Sequence, residues 1–213
     1  MSRRPGTPRP RARAGRWPGM PPWLAPWLRF LVLLGVAGTA LWLLALFAYP
    51  FPYREEVFQA AARHGVSPYL VAAVIRQESH WQPDVVSRQG ARGLMQVMPE
   101  TGRWAAAQMG LGPLDPHRLF DPAVNIEVGT WYLGYLIRKF DGNLAVALAA
   151  YNGGSRHVEE WLRQGRWSGG ADRLDEIPFP ETRTFVRRVL RDYRRYRLLY
   201  GDWLRGAGTR PSR

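Results

Sequence analysis

Hydrophobic positions along the chain fall into two patterns: one uninterrupted block near the N-terminus, and after it a series of stretches in which apolar residues recur every three or four positions. The block covers residues 30–48, FLVLLGVAGTALWLLALFA, and carries no ionisable group. Its nineteen residues, as a helix rising about 1.5 Å per residue, reach roughly 28 Å, close to the roughly 30 Å of bilayer hydrocarbon. The block lacks the polar face of a helix packed on a soluble core, so a membrane-spanning anchor over 30–49 is expected, closed by Pro50 and Pro52. The periodic stretches predict helices over 54–64, 68–80, 100–109, 122–140, 144–151, 158–164 and 181–203. Ser67 before Pro68, and Asp121 before Pro122, put a capping side chain ahead of a proline at the first helical position. Strand-like alternation is scarce, so the soluble part is expected to be mainly α. The chain thus reads as a basic arm (1–29), an anchor (30–49), a soluble domain of ordinary size (52–205) and a tail (206–213).

Charge sharpens the membrane reading. Of a net +13 over 213 residues, seven charges come from arginines within residues 1–29, which contain no acid. Basic residues on the N-terminal side of a span place that side in the cytoplasm, and Trp23, Trp27, Trp42 and Tyr53 suit its interfaces. The domain is therefore expected outside the cytoplasm, and nucleic acid is a poor partner for it. A cleaved signal peptide has a shorter apolar region and a small-residue exit; the exit here reads LFAYPFPY, which favours an uncleaved anchor. The absence of cysteine excludes disulfides, thiolate nucleophiles and cysteine-ligated metals. The histidines at 64, 80, 117 and 157 lack the short spacing of helical metal pairs, and neither a phosphate-binding glycine loop nor a serine elbow occurs. No cofactor or metal is expected.

Candidate chemistry begins in the second periodic stretch, SPYLVAAVIRQES. At about 100° per residue, with Leu70 as zero, Val74, Val71 and Ile75 fall at about 40°, 100° and 140°, and Glu78 at about 80°. A carboxyl aimed from an apolar stripe is desolvated, which favours its protonated form and makes it a candidate proton donor. The competing reading is that Glu78, near the helix end, reaches solvent or pairs with an arginine. A glycine-bearing loop follows, with Gly90, Gly93, Met95 and Met98; methionines of this kind serve a core more often than a substrate. The stretch LAVALAAYNGG ends a small-residue helix in Tyr151 and Asn152, a phenol and an amide able to address a sugar and its N-acetyl group, although helix capping is the commoner role.

Four motifs in order, Gln77-Glu78-Ser79, residues 90–99 (GARGLMQVMP), Ala150-Tyr151-Asn152 and residues 177–183 (IPFPETR) followed by Val186, Val189 and Leu190, resemble the soluble lytic transglycosylase (SLT) family. The resemblance spans residues 66 to about 200 and none of the arm or anchor. It implies a lysozyme-like helical fold with a sugar-binding cleft, in a bacterial enzyme that cuts peptidoglycan strands. It also implies that Glu78 is the acid and base, that Ser79 orients the substrate N-acetyl group or the acid, and that Met95 and Gln96 line the cleft. Tyr151 and Asn152 would hold sugar and acid, and Glu181 would lie beside the cleft, although a glutamate there also suits a helix N-terminus. The implied reaction is non-hydrolytic, between N-acetylmuramic acid and N-acetylglucosamine, and leaves a 1,6-anhydromuramyl end. A non-catalytic wall-binding or assembly protein and a hydrolysing muramidase are the alternatives, and wall-synthesis or secretion complexes are further candidate partners. Residues 167–172, WSGGAD, read as a substrate lip or a mobile loop. In the last helix an apolar stripe through Phe185, Val189 and Tyr196 faces a surface crowded with seven arginines between 183 and 197, read first as a solvated basic face.

Overall fold

Helix α1 (Leu24–Ala48) starts six residues earlier than the apolar block, because Pro26 is tolerated in a first helical turn. The computed structural model describes residues 23–205, so most of the basic arm and the whole tail lie outside the described residues. Most large side chains of α1 are exposed, from Leu28 at 48% to Phe47 at 86%. By length and composition it suffices to cross a membrane.

Contacts divide the chain after Ala48, and the second unit begins at Tyr49. Its helices are α2 (Arg54–His64), α3 (Pro68–Glu78), α4 (Pro99–Gln108), α5 (Pro122–Lys139), α6 (Leu144–Gly153), α7 (Ser155–Arg163) and α8 (Pro180–Arg205), with short 3-10 turns at Pro116–Phe120 and Leu174–Glu176. No extended strand occurs among the described residues; two isolated bridges, Val86 to Arg92 and Arg92 to Val97, fold the loop between α3 and α4 into tight limbs.

Of the two side-chain caps expected from the sequence, that of α5 forms and that of α3 does not. Asp121 accepts from Ala123 N (3.0 Å), and Asn143 accepts from Ala145 N and Val146 N, so both cap as acceptors. The Ser67 hydroxyl makes no cap bond. Pro68, without an N–H and with its φ preset, starts α3 unaided, and the Ser67 carbonyl accepts from Leu70 N and Val71 N.

Two helices form the centre. In α3 every residue from Leu70 to Ile75 is at most 1% exposed, and in α6 every residue from Ala145 to Ala150 is at most 3% exposed. Helices covered all round are core helices rather than amphipathic ones. The single stripe expected of α3 is therefore a full apolar circumference, and Glu78 is its last residue. α8 packs across both α3 and α6, while α5 packs against α2, α4 and α6. Tyr49 and Phe51, assigned by the sequence to the span and its exit, belong to the second unit: Phe51 is buried against Trp81, Tyr196 and Tyr200.

Candidate active site

A cleft of about 540 Å³ opens where three helix ends meet. The C-terminus of α3 contributes Gln77 and Glu78, that of α6 contributes Asn152, and the first turn of α8 contributes Pro180 and Glu181. Thr184, Phe185 and Arg188 extend the α8 wall at the spacings that share a helix face, and Ser87 and Gln96 complete the lining from the loop.

Half-buried Glu78 is the electrostatic centre. Loss of solvent, and then the negative charge of Glu181 facing it, push its carboxyl up to about 8. The partial negative charge at the end of its own helix acts in the same direction. The expected alternatives of escape to solvent or pairing with arginine are not what occurs. A smaller cavity of about 350 Å³ beside Arg63 and Arg118 offers the opposite case. Burial raises Glu127 there, but hydrogen bonds from Arg63 and His64 outweigh it and hold that carboxyl below its ordinary value, so it supplies no proton at neutral pH.

Tyr151 lies close enough to Glu78 that the carboxylate charge, after burial, helps raise the phenol's pKa. Its hydroxyl donates to Met95 O at 2.8 Å. A phenol has one proton, and Met95 O takes it, so Tyr151 does not donate to the Glu78 carboxylate. Tyr132 packs on Tyr151 at 5.5 Å and dries that side. The Asn152 Oδ1 accepts from Thr182 Oγ1 at 2.8 Å, which leaves the amide N–H groups for a ligand. Gln96 donates to Val85 O and Gly93 O, leaving its side-chain oxygen for the cleft.

Two expected contacts are corrected. Met95 is 0% exposed, its sulfur packed toward Gly129 and Thr130, so its side chain lines the core and its carbonyl serves the site through Tyr151. Ser79 is buried and donates to Leu94 O (2.8 Å) and Ile75 O (3.3 Å), tying the loop to the helix that ends in Glu78 instead of facing a ligand. The 167–172 segment is neither lip nor loose loop: Trp167 is 1% exposed, Gly169 O accepts from Asn143, and no residue of it is in the cleft lining.

Asn125 was not singled out from the sequence, yet it organises the loop. Completely buried on α5, it accepts from Met95 N (2.7 Å) and donates to Arg92 O (2.8 Å) and Leu119 O (2.7 Å). A polar residue among Val124, Ile126 and Val128 was the available signal. Thr182, which holds Asn152, and Arg188, in the cleft lining, were also missed as site residues, because only the packing of α8 brings them there.

The family model described as "Transglycosylase SLT domain" matches residues 55–173. This chain belongs to that family. The SLT match ends before α8. The soluble lytic murein transglycosylase of Escherichia coli (strain K12) is 37% identical over 158 residues, covering 72% of this chain and 24% of that protein. The membrane-bound lytic murein transglycosylase C of Edwardsiella ictaluri is 34% identical over 122 residues, half of this chain and 32% of that one. Among solved structures, the 70 kDa soluble lytic transglycosylase SLT70 of Escherichia coli superposes with a TM-score of 0.67 at 34% identity, over 74% of this chain and 26% of that one. The lytic transglycosylase Slt of Pseudomonas aeruginosa, solved as an inactive Glu-to-Gln mutant, superposes with a TM-score of 0.64 at 34% identity, over 74% and 25%. The SLT fold, lysozyme-like and helical, is thereby shown. The chain spans about a quarter of the length of the first of these relatives.

Proposed function

We propose that the protein is a peptidoglycan lytic transglycosylase in which Glu78 acts first as acid and then as base. The observation that carries the reading is a carboxyl with a pKa of about 8 in a cleft of about 540 Å³ lined by Gln96, Asn152 and Glu181. Protonated Glu78 gives its proton to the oxygen bridging N-acetylmuramic acid and N-acetylglucosamine as the C1–O bond breaks. The substrate's acetamido oxygen steadies the positive charge at C1, with the Glu181 carboxylate at the cleft wall adding electrostatic support. Ionised Glu78 then takes the proton of the muramic 6-hydroxyl as that oxygen bonds to C1, giving a 1,6-anhydro end and regenerating the acid without water. Gln96 and the Asn152 amide are free to bind sugar hydroxyl and acetamido groups.

Two carboxyls at one cleft also suit a hydrolase, in which Glu181 would activate water or attack C1. Incubating the protein with purified sacculi and reading the released fragments by mass spectrometry decides the matter. Anhydro ends support the proposal, reducing ends make the protein a muramidase, and binding without release makes it a wall-binding protein. The same proposal anchors the chain in the cytoplasmic membrane through α1, with the arginine-rich arm inside and the cleft outside.

A further inference from the structure

Tyr49 follows α1 directly and is clamped by the unit it enters. Its hydroxyl donates to Asp192 Oδ1 (3.2 Å) and accepts from Arg195; its carbonyl accepts from Tyr200 Oη (2.7 Å). The Arg76 guanidinium lies over its ring at 4.3 Å, and Tyr196 Oη donates to the next carbonyl, Pro50 O, at 2.8 Å. Tyr49 is bonded to Ala48, the last residue of α1, so along the chain this patch begins one residue after the apolar helix. Around it one buried carboxylate, Asp192, faces Arg76 at 3.6 Å, Arg191 at 2.9 Å and Arg195 at 3.8 Å. Positive charge is left over, and both Arg191 and Arg195 keep half their side-chain surface exposed.

The outward face of α8 continues the pattern. Arg191, Arg194, Arg195 and Leu198 stand at i, i+3, i+4 and i+7, on one side of the helix. Leu198 is 82% exposed, an apolar side chain held out among arginines. Guanidinium groups match phosphate in charge and fork geometry, and a leucine beside them reaches the acyl boundary below a headgroup layer. We propose that this face of α8 docks onto anionic phospholipid headgroups of the membrane that α1 enters. The inference rests on α1 as an anchor and not on the chemistry of the cleft.

The chain has no cysteine, so Leu198→Cys in the full chain carries a single environment-sensitive fluorophore. In nanodiscs of phosphatidylcholine mixed with phosphatidylglycerol, its emission is expected to shift to the blue and to be quenched by spin-labelled lipid. Both effects are expected to fade at high salt and to be absent in phosphatidylcholine alone. Arg194→Gln, which leaves the partners of Asp192 in place, should require about fivefold more phosphatidylglycerol for the half-maximal shift. Glu78→Gln should dock like the parent, which separates this result from the test of catalysis. Equal emission in the two kinds of disc overturns the proposal, as does a shift produced by a soluble anionic wall polymer and not by phosphatidylglycerol. A chain that fails to co-purify with the discs overturns anchor and docking together.

Discussion

An acid with a pKa of about 8 is protonated through the neutral range and lost as a donor above it. Turnover on sacculi should therefore hold up to about pH 8 and fall beyond it. Because the Glu181 charge is one cause of the elevation, Glu181→Gln should move that falling limb to lower pH. The same shift bears on stability. With a folded pKa of about 8 against an ordinary 4.5, the native state holds a proton that the unfolded chain has released, so stability contributed by this proton declines as pH rises between those values. Glu78→Gln should accordingly abolish product formation while stabilising the fold at neutral pH by on the order of 2–4 kcal/mol, and by nothing below about pH 4, read from urea midpoints at both pH values. Asn125→Ala should cost about 2–4 kcal/mol, since it strands one buried amide and two carbonyls, and should lower turnover through the loop it holds. The desolvated setting of Glu78 was legible from helical spacing. The roles of Ser79 and Met95 were not, because membership in a motif does not say whether a side chain or a carbonyl is turned to the ligand.

Helix boundaries near the site explain why its parts converge. The buried helices α3 and α6 terminate at the cleft, so both deliver their last polar residues, Glu78 and Asn152, from rigid stems. The loop between α3 and α4 is shaped by Gly93, whose φ of +74° is left-handed, and where a methyl group would fall on the Leu119 carbonyl and the Asn125 amide. Gly93→Ala should destabilise the protein by at least about 2 kcal/mol and reduce turnover, since the carbonyl that holds the Gln96 amide sits on this residue. Denaturant titration beside a rate assay on sacculi checks both. The element pattern was readable in advance because apolar residues at helical period report burial. What periodicity misled on was α3, where the small residues Ala72 and Ala73 are buried as completely as their larger neighbours and erase the expected polar side. The reading of 167–172 as a lip or a mobile loop failed for a related reason: glycine and serine suggest freedom, whereas the buried Trp167 and the Asn143 bond remove it.

At the scale of the molecule, one apolar helix precedes one folded unit among the described residues. If α1 is an uncleaved anchor, intact mass of the membrane-extracted protein should include residues 24–48, and alkaline carbonate should leave the chain in the membrane pellet; a product shortened near Ala48 and free in the supernatant would mean a cleaved leader. The amino-acid sequence by itself determined the apolar helix, the helical class of the domain, the four motifs and the apolar setting of Glu78, because each follows from local spacing and residue chemistry. Tertiary structure decided the rest. Glu181 faces Glu78 across more than a hundred residues of sequence, Asn125 reaches the loop from another helix, and Tyr49 is held by Asp192 and Tyr200. Desolvation and the field of a neighbouring charge depend on distance in space, and distance in space is set by how α8 lies across α3 and α6.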